Sequence, residues 1–197
     1  MKKSTFFAFA MILLFVQSAE AWNSDWRLYA HGKGSKQILG CTPSAHFGIM
    51  NYFEAWTFFK LGRKVGGWTI QPAFGFGVLH EEDNTFAPSL RVSTDRLFMD
   101  IEYWEGLDKL YEYMEYYHPL DEEYSLGVEL EANQFTERFV DSGWRRAGVG
   151  VRLKYGGAIF TFVCSRQWSR GLEDSSWDPS TVVAVYVDMI IPNRAKK

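Results

Sequence analysis

The amino-acid sequence predicts an all-β protein, a single antiparallel up-and-down barrel of eight to ten strands. Three observations lead to this fold class. Apolar and polar residues alternate with a period of two through most of the chain. Residues typical of turns separate the alternating stretches. The connections are alternately long and short, which is typical of a barrel with loops at one rim and tight turns at the other.

Residues 1–21 have the layout of a secretory signal peptide. Lys2 and Lys3 form a positively charged start, residues 6–16 are apolar, and Ala19-Glu20-Ala21 fits the small-x-small cleavage rule. The apolar run is shorter than the roughly 18 residues that a membrane-spanning helix needs. We therefore expect cleavage after Ala21, and we expect residues 22–197 to form one β-barrel domain.

The strands follow in order from residue 24. The clearest alternation is found in segments 68–78, 97–104, 124–133, 146–155 and 183–191. Weaker strand patterns occupy 24–31, 44–61, 87–93 and 157–168, and the second of these is long enough to contain a bulge or bend. Segment 106–118 fits a helix and a strand equally well. Counted as a strand it gives a total of ten, whereas a helix there and a non-strand segment at 22–31 give eight.

The two faces of these strands differ in chemistry. One face is apolar and aromatic, whereas the other carries Asp100, Glu102, Glu129, Glu131, Arg146, Arg152 and Lys154. In a soluble barrel the apolar face points inward and these charges face water. In an outer-membrane barrel the apolar face meets lipid, and the charges form a network in the lumen.

Glycines on the polar face and aromatic residues near the strand ends favour the membrane arrangement, because a narrow lumen is crowded and aromatic rings anchor at lipid interfaces. The polar C-terminal tail and the two cysteines, Cys41 and Cys164, are unusual for such barrels. We expect a bacterial outer-membrane location. A soluble periplasmic barrel that binds an apolar ligand is the alternative, and the two cysteines either pair or stay free.

On this pattern the chain resembles small bacterial outer-membrane β-barrels. Residues 160–172 are also similar in layout to the last strands of outer-membrane lipid A deacylases, which carry a His-x-Ser motif. Here Arg166 and Trp168 stand near the positions of that His and Ser. Since a serine without a base is not an activated nucleophile, Ser165 and Ser169 are weak candidates. We expect a non-enzymatic protein, with a lipid A-modifying acyl hydrolase as the alternative.

Arg166 and Trp168 extend an apolar strand face into a basic and aromatic end, which suits contact with a membrane lipid or lipopolysaccharide headgroup. Trp68 and Trp104 are further candidates for lipid contact. The longer connections are expected to be extracellular and to offer a surface for a partner; they are 32–43, 80–86, 134–143 and 169–180.

Other classes of function are disfavoured by composition. The formal net charge is −3 and no Lys/Arg-rich run is present, so nucleic-acid binding is not expected. The four histidines lie far apart without metal-ligand spacing, so we expect neither a metal site nor another cofactor.

Overall fold

The computed structural model describes residues 22–34, 37–50, 55–79, 82–105, 108–135, 143–170 and 178–191. The predicted signal peptide lies outside these residues. The described part of the chain forms eleven strands. They are β1 (Trp22–Lys33), β2 (Thr42–Met50), β3 (Ala55–Val65), β4 (Trp68–Leu79), β5 (Glu82–Ser93), β6 (Leu97–Trp104), β7 (Lys109–Pro119), β8 (Tyr124–Phe135), β9 (Gly143–Tyr155), β10 (Ala158–Arg170) and β11 (Asp178–Ile191). The described residues include no helix long and apolar enough to cross a membrane.

The strands close into one barrel, and strands adjacent in sequence pair antiparallel. The barrel is closed by β1 and β11, which pair in parallel, with Trp26 opposite Val185. A meander with an odd number of strands can close only in this way, because its first and last strands run in the same direction. The prediction of eight to ten strands, all antiparallel, was therefore wrong in both count and closure.

Segment 44–61 supplies the eleventh strand, and the count of eight fails because segments 24–31 and 106–118 both contribute to strands. Segment 44–61 is not one bent strand but β2 and β3, which pair with each other so that His46 lies opposite Phe58. Segment 106–118, which fitted a helix as well as a strand, contributes to β7. That strand pairs along its length with β6 and β8, so hydrogen bonding in the sheet decides against the helix.

The connections divide between two rims. The strand ends that flank 34–41, 66–67, 94–96, 120–123 and 156–157 lie at the turn rim, and the strand ends that flank 51–54, 80–81, 105–108, 136–142 and 171–177 lie at the loop rim. Of the four predicted extracellular loops, 32–43 therefore lies at the opposite rim from the other three. Because segment 44–61 forms two strands instead of one, the strands before it run in the direction opposite to the expected one. The connection 32–43 therefore lies at the turn rim.

The interior of the barrel is polar and the outer wall is apolar. Buried charged and imidazole side chains point inward: Arg27, His46, Lys60, Arg91, Asp100, Glu102, Glu129, Glu131 and Arg146. Large apolar side chains are exposed on the outside of the strands: Trp26, Phe47, Phe59, Leu61, Ile70, Phe74, Phe76, Leu90, Ile101, Leu126, Val128, Leu130, Val149, Val151 and Met189. Of the two arrangements that the sequence allows, this is the one with charges inside.

Glycines make room for aromatic rings in the lumen. A Cβ atom added at Gly75 would lie 2.5 Å from the Phe58 ring, and one at Gly77 would lie 2.9 Å from the Trp104 ring. These rings contact each other edge to face at a centroid distance of 5.7 Å. The glycines of β4 are thus explained by close packing inside the barrel.

Candidate functional site

Four charged residues form an arginine–carboxylate quartet across the lumen: Asp25, Arg27, Glu131 and Arg146. Arg27 lies 2.7 Å from Asp25 and 2.7 Å from Glu131. Arg146 lies 2.9 Å from the same Asp25 oxygen and also contacts Glu131. Arg27–Asp25 lies within β1, and Glu131 and Arg146 are register partners on β8 and β9. The other two pairs, Arg27–Glu131 and Arg146–Asp25, span the interior, because β1 is separated from β8 and β9 around the wall.

A second group surrounds Arg91 on β5. Its guanidinium contacts Asp100 and Glu102 of the neighbouring strand β6, and donates to His46 Nδ1 at 3.0 Å. Trp104 Nε1 donates to Glu102 at 3.0 Å. Both carboxylates are thus held by partners that are themselves buried.

A third group lies on β7 to β9. Arg152 contacts Glu115, and its guanidinium sits 3.6 Å from the centre of the Tyr117 ring. The Tyr117 hydroxyl donates to Glu129 at 2.6 Å. These contacts connect the inward-facing polar side chains of β7, β8 and β9.

The structure brings most of the predicted charge network into the lumen. Asp100, Glu102, Glu129, Glu131, Arg146 and Arg152 belong to the three groups above, whereas Lys154 is exposed at the end of β9 and stands apart from them. The sequence interpretation missed four members: Asp25, Arg27, Arg91 and Glu115. Period two would have found two of them, since Arg27 stands between Trp26 and Leu28 and Arg91 between Leu90 and Val92.

A cavity of about 910 Å³ occupies the lumen beside these groups. Its lining includes Lys33 and Lys64 at the turn rim and Met50 and Trp144 at the loop rim. The cavity therefore extends along most of the barrel height. Polar groups line it in between, among them His46 and Lys60.

The predicted lipid contacts fall on different sides of the wall. Arg166 and Trp168 lie on the outside of β10 near the loop rim, and Arg166 donates to Thr181 Oγ1 at 3.4 Å. Trp68 is exposed on the outside at the turn rim. Trp104, however, is only 4% exposed and packs inside against Phe58. The prediction for Trp104 is corrected, because its ring shares the inward face of β6 with Glu102.

The serines of β10 lie in an inert environment. The Ser165 hydroxyl is buried and donates to the Val182 carbonyl at 3.3 Å, while Ser169 Oγ accepts from Gln167 at 2.9 Å. Neither bond supplies a base that would activate a nucleophile. Cys41 and Cys164 are both free thiols. Within the described ranges no group of three or more His, Cys, Asp or Glu residues could hold a metal ion.

Comparison with known proteins finds no matching family model, no similar curated protein and no similar solved structure.

Proposed function

We propose that this chain is a bacterial outer-membrane β-barrel that acts through its lipid-facing wall and its surface loops rather than through catalysis. One observation supports the proposal above all others. The interior carries buried charges and the exterior carries large apolar side chains. Burying apolar surface is worth about 25 cal/mol per Å², so such a wall is favoured in lipid and disfavoured in water.

The dimensions and closure of the barrel also suit a bilayer. Its strands are 8 to 14 residues long, and a membrane strand tilted at ~45° needs about 9–11 residues. Closure leaves no unpaired sheet edge in the hydrocarbon region. The odd strand number departs from the even numbers of bacterial outer-membrane barrels, but a mitochondrial barrel with an odd number of strands exists.

Exposed aromatic rings at both rims are consistent with two interfacial girdles. Trp68, Tyr116 and Tyr155 lie outside near the turn rim, and Trp168 lies outside near the loop rim. Beside Trp168, Arg166 offers a guanidinium at the height where a lipid or lipopolysaccharide phosphate would lie. Loops 136–142 and 171–177 share this rim, and we propose that they face the cell exterior and offer a surface for a partner.

The two alternatives receive less support. A soluble periplasmic barrel that holds an apolar ligand needs an apolar interior, whereas buried charges line this one. A lipid A acyl hydrolase needs a serine activated by a base, and the bonds of Ser165 and Ser169 provide none.

Cell fractionation combined with a heat-modifiability gel tests the proposal. We expect recovery of the expressed chain in the outer membrane, with a mobility change on boiling that reports a folded barrel. Replacement of both Arg166 and Trp168 by alanine is expected to weaken binding to vesicles that contain lipopolysaccharide while the mobility change persists. Recovery of the wild-type chain in the soluble periplasm would refute the membrane location.

A further inference from the structure

Three inward-facing side chains of β2 and β3 form a cluster of hydrogen-bond donors: Ser44, His46 and Lys60. Ser44 of β2 lies directly opposite Lys60 of β3, and His46 is the next inward-facing residue on β2. On the other side, Lys33 of β1 is the register partner of Ser44. Because adjacent strands are about 4.8 Å apart, these side chains share one small region of the lumen.

One polar group on each of these three side chains makes no hydrogen bond with the described part of the chain. Lys60 and His46 are each 5% exposed. The Ser44 hydroxyl and His46 Nε2 are buried without a hydrogen bond. Lys60 makes no hydrogen bond or ion pair at contact distance with the residues that the structure describes, although carboxylates farther away attract its ammonium. A buried polar group without a partner costs free energy, and a buried ammonium costs more.

The free nitrogen of His46 is a donor. His46 Nδ1 lies 3.0 Å from a nitrogen of Arg91, and a guanidinium can only donate. Nδ1 must therefore accept, so the proton of the neutral ring sits on Nε2. All three unpartnered groups can thus donate at once, and their complement is a group rich in acceptor oxygens.

Basic side chains also outnumber acidic ones along this stretch of the sequence, from β2 to β4. Between Thr42 and Leu79 the sequence has one acidic residue, Glu54, which lies outside the described residues. Three described carboxylates, Asp100, Glu102 and Asp188, attract the Lys60 ammonium from beyond ion-pair distance. Their direct contacts are with other side chains: Asp188 with His31 at 2.6 Å, and Asp100 and Glu102 with Arg91. Lys33 and Lys64 add positive charge where the cavity meets the turn rim.

We propose that the donor cluster is a binding site for a small oxyanion of the phosphate type. Lys60 supplies the charge, and His46 Nε2 and the Ser44 hydroxyl supply two further hydrogen bonds. Charge-assisted hydrogen bonds are the strong ones, and several phosphate oxygens can accept from different directions at once. Lys33 and Lys64 would attract the anion into the cavity. This site depends on the barrel and its lumen, not on the membrane location.

Calorimetric titration with inorganic phosphate tests the site in the full chain folded in detergent, with chloride keeping the ionic strength constant. We expect saturable binding with one phosphate per chain. Lys60→Met is expected to weaken it by roughly ten-fold or more, as for the loss of a hydrogen bond to a charged group. Lys60→Arg is expected to keep most of it. Lys154→Met is the control for the loss of one positive charge, because Lys154 is exposed at the end of β9 on the far side of the lumen.

Glycerol phosphate in a parallel titration distinguishes free phosphate from a phosphate carried by a larger solute, and saturable binding of either one supports the site. Ser44→Ala gives a second variant that removes only a hydroxyl, should Lys60→Met fail to fold. Absence of saturable binding to both compounds would overturn the proposal. So would an equal loss in Lys60→Met and Lys154→Met. Fractionation bears on the proposed membrane role alone, so the two ideas can fail separately.

Discussion

A positive charge placed on the outer wall distinguishes a barrel in lipid from a barrel in water. Val149 is the middle residue of the thirteen-residue strand β9, and its side chain is 62% exposed on the outside. Its register partners are Val128 and Cys164, so its surroundings on the wall are apolar. Tyr155 lies on the same face of the same strand at the turn rim, 76% exposed.

The geometry gives the magnitude of the effect. Six residues separate the two positions, which is about 20 Å along a strand and about 15 Å along the barrel axis for a tilt of ~40°. With Val149 at the centre of an apolar band ~25 Å tall, Tyr155 lies at its edge. Val149→Arg is expected to reduce the free energy of unfolding by about 2–4 kcal/mol in a bilayer, against about 0–1 kcal/mol for Tyr155→Arg.

Reversible urea unfolding in lipid vesicles, followed by tryptophan fluorescence, measures both variants. The expected difference of at least about 1 kcal/mol corresponds to a change in the unfolding equilibrium of at least about five-fold. In a water-soluble barrel both substitutions are on the surface, and each is expected to stay within about 0.5 kcal/mol. Equal effects of Val149→Arg and Tyr155→Arg would therefore refute the assignment of the apolar wall to lipid.

Three further outcomes are expected. Glu131→Gln weakens contacts to both arginines of the quartet and is expected to lower the free energy of unfolding by about 3–5 kcal/mol. The control Glu123→Gln, in an exposed turn, is expected to leave the free energy of unfolding unchanged. Similar urea midpoints for the two variants would contradict the role of the quartet. Gly75→Ala is expected to cost about 1–3 kcal/mol in the same assay, because its methyl group would lie 2.5 Å from the Phe58 ring, while Gly67→Ala, with open space around it, costs much less. Cys164 lies on the outer wall and Cys41 lies near the turn rim. For the barrel in vesicles, a water-soluble maleimide is expected to label Cys41 much faster than Cys164. Comparable labelling rates would argue against lipid around Cys164.

Local patterns predicted the faces of the strands but not their number. In β8 and β9 the alternation correctly grouped Glu129 and Glu131 with Arg146, because the side-chain period of two is a local property. The boundary between β2 and β3 was hidden, since residues 51–54 contain neither Gly nor Pro and the inward positions are even-numbered in both strands, as at His46 and Lys60. A turn that keeps the alternation in phase leaves no signal in the hydrophobic pattern.

Contacts across the lumen depend on barrel closure, and no local pattern contains them. Arg27 and Glu131 are far apart in sequence and meet only because β1 is placed across the lumen from β8. Trp104 shows a different kind of error. Its parity with Glu102 placed it inside, but its position at a strand end suggested an interfacial ring. For Trp104 the alternation of inward and outward residues predicted the side of the wall correctly, whereas the aromatic residue type did not.

The parallel pairing of β1 with β11 limits how this barrel can be rewired. Trp22 lies at the loop rim and Ile191 at the turn rim, so a circular permutant that joins them needs a linker as long as the barrel is tall. For a strand of 12 residues with a tilt of ~40°, that height is about 30 Å and the linker at least about nine extended residues. In a barrel with an even number of strands the two chain ends lie at the same rim, and a short turn could join them. In this barrel the linker would have to run along the apolar wall or through the cavity. The parallel pairing of β1 with β11 therefore disfavours circular permutation.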